Sequence, residues 1–291
     1  MRLQVGGVRL DRDLEPDQSS GVFEPAPPPL RLGASRTQPR VAYALPHLAA
    51  ALAARLQRPV ITAQRDGYEH LLDGFLGGAI DVAWLPPLLL ARASGRGGQL
   101  LAVPMRAGTL TYRSALLVAA GSPLHELSEL RGVRAAWVDH WSASGYHFPR
   151  LELERRGLVL ADVLRSEVFH GSTVRAASAV AAGEADLCAC FVTDSAAHDR
   201  FLAAADLRRA LGPLAERLRV LHVTQPIPPD GLVAASHVPG PVAVGLADAF
   251  QRLHHAPAGQ EVLRNLLQAE RLCAPTDAVA RSLDTWSAVG G

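Results

Sequence analysis

Two hydroxyl-rich turns carry residue types that suit the binding of a small anion. The first turn follows a predicted strand, precedes a predicted helix, and consists of Ser142, Ala143, Ser144 and Gly145. Backbone amides at a helix N-terminus lack intrahelical partners, and the helix dipole favours negative charge there. The serine hydroxyls add neutral donors, and glycine lets a ligand approach the backbone closely. The pattern predicts a seat for a tetrahedral oxyanion without any cationic side chain, although an ordinary serine N-cap has the same local pattern.

The second turn contains Ser172 and Thr173, between a predicted strand at 165–171 and a predicted helix at 173–183. Ligands of open α/β sheets bind beyond the carboxyl ends of the strands, close to helix N-termini. Because both turns occupy such positions, we expect them to converge on one anion. Taken alone, Ser172 has the pattern of an ordinary N-cap.

Two acids stand at strand ends, since Asp194 follows the run CACFVT and Asp230 lies in PIPPDG. A carboxylate near an anion would bind a ligand that also carries a cation or an acidic proton, as an aminophosphonate or a protonated phosphate does. The alternative is structural, with Asp194 as an N-cap and Asp230 as a turn residue before Gly231.

The nucleophilic and metal-ligating residues do not form a recognisable catalytic set, and no catalytic residue is predicted. Cys188 and Cys190 lie inside an apolar run, where we expect buried, unreactive thiols. His140, His147 and His170 flank the two turns. A metal site formed by them is the less favoured alternative, because nothing in the sequence brings them together. No metal and no cofactor are predicted.

Charge and hydropathy narrow the range of partners. The chain has 29 basic and 28 acidic residues among its 291, and its formal net charge is +1. This balance, without a basic stripe, argues against nucleic acid as a partner. No run reaches the ~18–20 apolar residues of a membrane helix, so no membrane insertion is expected. Residues 1–30 contain acids and prolines and lack the pattern of a secretory leader, which predicts a chain that stays where it is made.

The elements that must position the two turns alternate between strand and helix patterns. In the first series, strands are predicted at 31–35, 59–64 and 79–86 and helices at 46–57, beginning with Pro46, and at 68–78. The second series has predicted strands at 133–140, 165–171 and 185–193 and helices at 144–157 and 173–183. Each series is typical of a mostly parallel sheet covered by helices.

Two long extended runs, at 109–121 and 219–227, predict strands that cross between the series. The predicted fold is therefore α/β, with two Rossmann-like lobes joined by two extended crossover strands. A weakly ordered leader is expected at 1–30. Lobe 1 is predicted to comprise 31–112 plus 228–291, and lobe 2 to comprise 113–227. Two such lobes would form a cleft that opens and shuts at the crossovers.

With these pieces placed, the sequence over about residues 31–270 resembles a known family. The motifs that carry the likeness are, in order, YEHLLDGFLGGAIDVAWLPP, YRSALLVAAGSPLHELSELRGVRAAWVDHWSASGYHFPR, FHGSTVRAASAVAAGEADL and PIPPDGLV. They are similar to the PhnD-like phosphonate-, phosphite- and phosphate-binding proteins of ABC importers. These proteins have the type 2 periplasmic binding protein fold, whose two lobes close like a venus flytrap.

The resemblance implies roles for particular positions. Ser142 and Ser144 match a Ser-Thr-Ser turn that clasps phosphonate oxygens, and Ala143 leaves that clasp one hydroxyl short. The pair Ser172-Thr173 stands where the family often has Ser-His, so a hydroxyl replaces an imidazole.

The other implied positions concern the far end of the ligand. Asp194 and Asp230 match acids that face the ligand's amine, and Tyr68 matches an aromatic residue of the first lobe. A second tyrosine, expected soon after AWLPP, is replaced by Leu88, Leu89 and Leu90. These departures leave the fold intact and the choice of anion open.

The resemblance further implies a monomeric solute-binding protein with an ABC permease as partner, located in the periplasm or at the cell surface. The missing leader points instead to the cytoplasm. It favours the main alternative, a dehydratase-like or pyrimidine-synthase-like enzyme on the same fold, against which stands the lack of a nucleophile–base pair. A sensor that reports ligand to a partner is the third reading.

Overall fold

The computed structural model describes residues 27–36, 41–197 and 199–287. The leader predicted for 1–30 lies outside these residues, except for 27–30. In the described part of the chain, no helix is both long enough and apolar enough to cross a membrane.

The described strands form two separate sheets. In chain order the strands are β1 Leu30–Ser35, β2 Val60–Arg65, β3 Val82–Leu85, β4 Gln99–Met105, β5 Tyr112–Ala119, β6 Val133–Trp137, β7 Leu164–Phe169, β8 Leu187–Thr193, β9 Leu218–Val223, β10 Gly231–Ala234 and β11 Arg271–Cys273. The first sheet has the strand order β11-β4-β10-β3-β1-β2, and the second has the order β7-β6-β8-β5-β9.

Helices cover both faces of both sheets. They are α1 Val41–Leu56, α2 Tyr68–Leu76, α3 Pro87–Ser94, α4 Phe148–Arg155, α5 Leu160–Val163, α6 Thr173–Ala181, α7 Arg200–Leu211, α8 Gly240–Gln251, α9 Pro257–Val262 and α10 Asp277–Ser287. Helices α4–α7 pack on the second sheet and the others on the first. We call each sheet with its helices a lobe, so that the predicted two-lobed α/β fold is confirmed.

Strand periodicity explains why each sheet is buried on both sides. In β5, Ala115 and Leu117 belong to one apolar cluster, whereas Leu116 and Val118 belong to the cluster on the opposite face. Successive strand residues point to opposite faces, so a continuous apolar run produces a strand with a core on each side. The same holds in the first lobe, where the predicted run AIDVAWLP contains β3.

Parallel and antiparallel pairing combine in both sheets. β1 pairs in parallel with β2 and β3, and β6 pairs in parallel with β7 and β8. The strands next to the crossings are antiparallel, since β10 pairs with β3 and β4 and β5 pairs with β8 and β9. Ligand sites of such sheets lie beyond the carboxyl ends of the parallel strands. For β6 and β7 these are the ends at which the two hydroxyl-rich turns begin.

The first crossing between the lobes comprises residues 106–111. The predicted strand at 109–121 starts too early, because it includes part of this crossing. β5 begins at Tyr112 and lies entirely in the second sheet. Before it, Arg106 and Thr109 pair across a tight turn, in which Ala107 and Gly108 have φ of 48° and 76°. This left-handed turn ends the extended backbone between the lobes.

The second crossing runs from Thr224 to Asp230, after β9 and before β10. It is tied to the first by a reciprocal backbone pair: the Tyr112 amide donates to the Ile227 carbonyl at 3.3 Å, and the Ile227 amide donates to the Tyr112 carbonyl at 2.6 Å. The predicted bounds of the lobes, 31–112 plus 228–291 for lobe 1 and 113–227 for lobe 2, remain predictions.

Candidate functional site

A cavity of about 210 Å³ opens between the two lobes. Its polar lining from the first lobe and the crossings includes Ser35, Tyr68, Trp84, Arg106, Asp230 and Gln268, and Tyr112 lines it from the start of β5. The second lobe contributes Ser142, Ala143, Ser144 and Thr173. Apolar side chains, among them Phe191, Val138, Leu266 and Leu267, complete the wall.

The turn Ser142–Ser144 presents several hydrogen-bond donors. Ser142 caps a short turn of π-helix, and its Oγ accepts a bond from the Gly145 amide at 3.1 Å. The hydroxyl proton of Ser142 is left to donate to a ligand. Within the described residues, the amides of Ala143 and Ser144 have no protein partner. Free amides at the start of a helix bind anions well, because the backbone dipoles favour negative charge.

We call the turn Ser142–Ser144 the anion turn, after the ligand that its sequence predicts. Hydrogen bonds to neighbouring backbone and to β5 hold it in place. The Ser114 hydroxyl on β5 donates to the Ser144 carbonyl at 2.6 Å. The Ser142 amide donates to the Asp139 carbonyl at 3.0 Å, and the Val138 amide donates to the Gly145 carbonyl at 3.3 Å. The turn is therefore fixed to two strands of the second lobe before a ligand binds.

Gly145 does not line the cavity, and its importance is structural. Its amide already donates to Ser142, and a Cβ at this position would lie 2.4 Å from Cγ2 of Val138. The prediction that glycine admits the ligand to the backbone is corrected, because the close approach is made by Val138.

The structure brings Thr173 to the cavity and leaves Ser172 outside it. Ser172 is the N-cap of α6, and its Oγ accepts a bond from the Arg175 amide at 3.3 Å. Thr173 is the first residue of that helix, so its amide is one of the donors without an intrahelical partner. The two turns are neighbours because the His170 and Gly171 amides bond to the Trp137 and Val138 carbonyls.

Asp230 lines the cavity, but its carboxylate is already paired. Arg106 donates to it twice, from Nη1 at 2.7 Å and from Nη2 at 3.0 Å, and the Trp84 indole donates to the same carboxylate. Arg106 is 5% exposed and also bonds to the Leu267 carbonyl through Nε and Nη2. The predicted anion seat without a cationic side chain is thus corrected, because the cavity contains a buried arginine.

Asp194 lies outside the cavity lining. Its carboxylate accepts a bond from Arg113 Nε at 2.7 Å, and Arg113 also donates to the Thr224 carbonyl at 2.8 Å. Through these two bonds Arg113, on β5, joins the end of β8 to the start of the second crossing. The structure therefore does not bring the two predicted acids together.

Two tyrosines supply phenol groups to the cavity. Tyr68, the predicted aromatic residue, is the first residue of α2. Tyr112 is buried, and burial, together with the negative charge of Asp230, raises the pKa of its phenol well above the usual value. A phenol that stays protonated can donate a hydrogen bond to an anion.

Sequence reasoning missed five polar residues of the lining: Ser35, Trp84, Arg106, Tyr112 and Gln268. Ser35 ends β1, and the rule that ligands bind beyond strand ends would have found it. Trp84 and Tyr112 lie inside the motifs that carry the family resemblance, but the resemblance implies no role for either residue. Leu88, Leu89 and Leu90, which replace the expected second tyrosine, are buried in α3 and do not line the cavity.

The thiols and histidines offer no nucleophile in this cavity. Cys190 lines it, and burial, with a smaller effect of Asp206, raises the pKa of its thiol to about 12. A thiol that stays protonated at neutral pH is a poor nucleophile. Within the described ranges, no three metal-ligating side chains come together, and His140 instead stacks on Phe169 with ring centroids 3.6 Å apart.

Comparison with known proteins places these features in context. The model of one protein family, described as "ABC transporter, phosphonate, periplasmic substrate-binding protein", matches residues 34–279. No curated protein matches the chain.

Three solved structures illustrate the shared fold. XAC2383 from Xanthomonas citri, bound to chloride ion, has a TM-score of 0.73 at 21% identity, covering 89% of this chain and 96% of its own. A binding protein component of an ABC phosphonate transporter from Pseudomonas aeruginosa, PA3383, has a TM-score of 0.75 at 19% identity, with coverages of 90% and 87%. PhnD1 from Prochlorococcus marinus, in complex with methylphosphonate, has a TM-score of 0.75 at 16% identity, with coverages of 90% and 97%. At these identities the structural likeness is evidence of fold.

Proposed function

Because this chain belongs to the family of periplasmic substrate-binding proteins of phosphonate ABC transporters, we propose that it binds a small phosphonate, phosphite or phosphate between its lobes. The protein is a solute-binding component and not an enzyme. The observation that supports the proposed site is the gathering of Ser142, Ala143, Ser144 and Thr173 at one cavity.

The binding mechanism follows from the donors. Oxygens of the anion accept hydrogen bonds from the Ala143, Ser144 and Thr173 amides and from the serine and threonine hydroxyls. Hydrogen bonds to a charged acceptor are about twice as strong as neutral ones, and the two helix N-termini favour the negative charge. Tyr68 closes the opposite side from the first lobe. Ser172, Gly145 and Asp194 support the site from outside and do not contact the ligand.

Capture requires the lobes to close on the anion. Residues 106–111 and 224–230 connect the lobes, and these two short segments act as the hinge. Ligand shifts the equilibrium towards the closed form only by its higher affinity for that form, which needs donors from both lobes. Tyr112 is suited to this coupling, because its backbone pairs with Ile227 across the hinge while its side chain lines the cavity.

The protein acts as a monomer in the periplasm or at the cell surface and delivers its ligand to an ABC permease. The periplasmic character of the family supports this location, and the transporter named in the family description supports the partner. The enzyme alternative is not favoured. Among the described residues that line the cavity there is no histidine, and the Cys190 thiol is held protonated.

A thermal-shift series tests the proposal. Methylphosphonate, phosphite and phosphate are compared with sulfate, and a ligand at a hundred times its dissociation constant stabilises the fold by about 2.7 kcal/mol. Ser144→Ala should reduce that shift for the preferred anion, because a donor is lost. The matched control is Ser178→Ala, on the exposed face of α6. A series in which no phosphorus oxyanion stabilises the protein would overturn the proposed function.

A further inference from the structure

The cavity contains one opposite-charge pair. Among the described residues that line it, Asp230 is the one carboxylate and Arg106 is the one cationic side chain. Both are buried, with exposures of 7% and 5%. A buried carboxylate in a binding cavity would normally attract a cationic group of the ligand, because an unpaired buried charge is costly. Whether Asp230 can do so depends on what already contacts it.

The bonds to Asp230 leave it little capacity for a ligand. Arg106 binds both carboxylate oxygens in a bidentate pair, with donor–acceptor distances of 2.7 and 3.0 Å. The Trp84 indole bonds to the oxygen that also accepts from Nη2 of Arg106. The pair is electrically neutral, so it offers a ligand no net negative charge.

The aromatic faces beside the pair are also occupied by Arg106. Its guanidinium carbon lies 5.8 Å from the Tyr112 ring centroid and 5.4 Å from the Phe191 ring centroid. Aromatic faces can bind an ammonium group within about 6 Å, and here the protein's own cation takes that position. Two further bonds to the Leu267 carbonyl, at 3.0 and 2.8 Å, fix the guanidinium in place.

From these contacts we infer that Arg106 determines ligand specificity by serving as the cavity's resident cation, so that the site selects phosphonates with an uncharged organic group over aminoalkyl phosphonates. The inference rests on the proposed function and deepens it. A ligand ammonium group would meet a neutralised carboxylate, aromatic faces already in use and a nearby like charge, whereas an alkyl group would meet the apolar wall. It also replaces the expectation that Asp230 recognises an amine.

Isosteric ligand pairs test the inference on the unmodified protein. Ethylphosphonate is compared with aminomethylphosphonate, and propylphosphonate with 2-aminoethylphosphonate, by titration calorimetry. Within each pair the two ligands differ by a methyl group in place of an ammonium group. Because like charges brought together are strongly unfavourable, the uncharged member should bind at least about tenfold more tightly. Equal affinity, or tighter binding of the amine, would overturn the inference even if the variants described next did not fold.

Arg106→Gln tests the role of the arginine itself. Glutamine keeps a donor near the Leu267 carbonyl but removes the charge, which leaves Asp230 available to an ammonium group. The ratio of affinities should shift towards the amine by about tenfold or more. The control is Arg113→Gln, which removes an arginine of a similar ion pair whose carboxylate lies outside the cavity lining. This control should leave the ratio unchanged, and an equal shift in both variants would contradict a specific role for Arg106.

The same titrations separate this inference from the proposed function. If no phosphonate binds and phosphite and phosphate fail to bind as well, the proposed function fails and the inference fails with it. If only phosphite or phosphate binds, the function stands and the inference is wrong. If the alkylphosphonates bind and the amines bind as well or better, the function stands and the inference alone is wrong.

Discussion

The guanidinium carbon of Arg92 lies 4.3 Å from the centroid of the Trp141 ring, and this cation–π contact joins the two lobes. Arg92 belongs to α3 of the first lobe. Trp141 belongs to the second lobe, where it directly precedes Ser142 of the anion turn, and it packs against an apolar cluster of the first lobe. It does not itself line the cavity. The anion turn is thereby linked to the opposite lobe through a residue that does not line the binding cavity.

Trp141→Ala should weaken ligand binding without removing any donor to the anion. A cation–π contact contributes roughly 0.5–2 kcal/mol, and loss of packing against the first lobe adds to that. Because the contact exists only while the lobes are together, we expect its loss to appear mainly as faster ligand release. Stopped-flow displacement of bound methylphosphonate measures this rate.

The control for this variant is Phe201→Ala, since Phe201 is an aromatic residue of the second lobe that is 77% exposed. It should leave the release rate unchanged. A Trp141→Ala protein that releases ligand at the rate of the unmodified chain would show that the contact between Arg92 and Trp141 does not hold the lobes together.

Features that depend on local sequence could be predicted. The alternation of buried faces along β5 follows directly from the apolar run that contains it, and the turns at 142–145 and 172–173 follow from strand and helix patterns on either side. The start of α1 was harder, because the helix begins at Val41 and not at Pro46, which lies inside it. Proline usually favours the first position of a helix, which is why the sequence pattern predicts a start at Pro46.

Features that depend on distant pairing could not be predicted. Arg106 and Asp230 are 124 residues apart, and no local pattern around the arginine indicates its partner. The turn Ser142–Ser144 lies at a cavity, as its position after a strand suggests, but the charges inside that cavity could not be read from the local sequence. The left-handed turn at Ala107 and Gly108, which ends the extended run, is equally difficult to read from residue types.

Gly145→Ala should destabilise the protein and weaken ligand binding together. The added Cβ would lie 2.4 Å from Val138 Cγ2 and 2.6 Å from Ser142 Oγ, so the anion turn must move away from the end of β6. Overpacking of this kind costs about 1–3 kcal/mol. Urea unfolding measures the stability loss, and methylphosphonate titration measures the affinity.

Gly121→Ala is the matched control for that variant, because a Cβ at Gly121 meets no atom within 4 Å. Gly121→Ala should change the free energy of unfolding and the affinity for methylphosphonate much less than Gly145→Ala does. Unchanged affinity in the Gly145→Ala protein would mean that the geometry of the turn does not set ligand binding.

Each lobe contains the same arginine–aspartate connection between two strands. Arg31, on β1, donates through its amide, Nε and Nη2 to Asp81, which directly precedes β3. In the second lobe, Arg134 on β6 makes the same three kinds of bond to Asp186, which directly precedes β8. The side chain of Asp81 is 8% exposed and that of Asp186 is 33% exposed, and Asp81 also bonds to His237, so the two connections differ in burial and in this extra partner.

The loss of stability at acid pH should depend more on Asp81 than on Asp186, because Asp81 is the more buried carboxylate. Burial opposes the charge of Asp81, but hydrogen bonds from Arg31 and His237 outweigh it and lower the pKa of this carboxyl to about 2. A carboxyl with a lowered pKa stabilises the folded state above its unfolded pKa of about 4, and that contribution is lost as the pH falls towards 2. Asp81→Asn should therefore lower the free energy of unfolding by about 2 kcal/mol at pH 7 and by progressively less below pH 4.

Asp186→Asn is the control, and its loss of stability should be smaller because water screens the pair with Arg134. Urea unfolding between pH 2 and 7 measures both, and a pH-independent loss in Asp81→Asn would contradict an ionic contribution at that position.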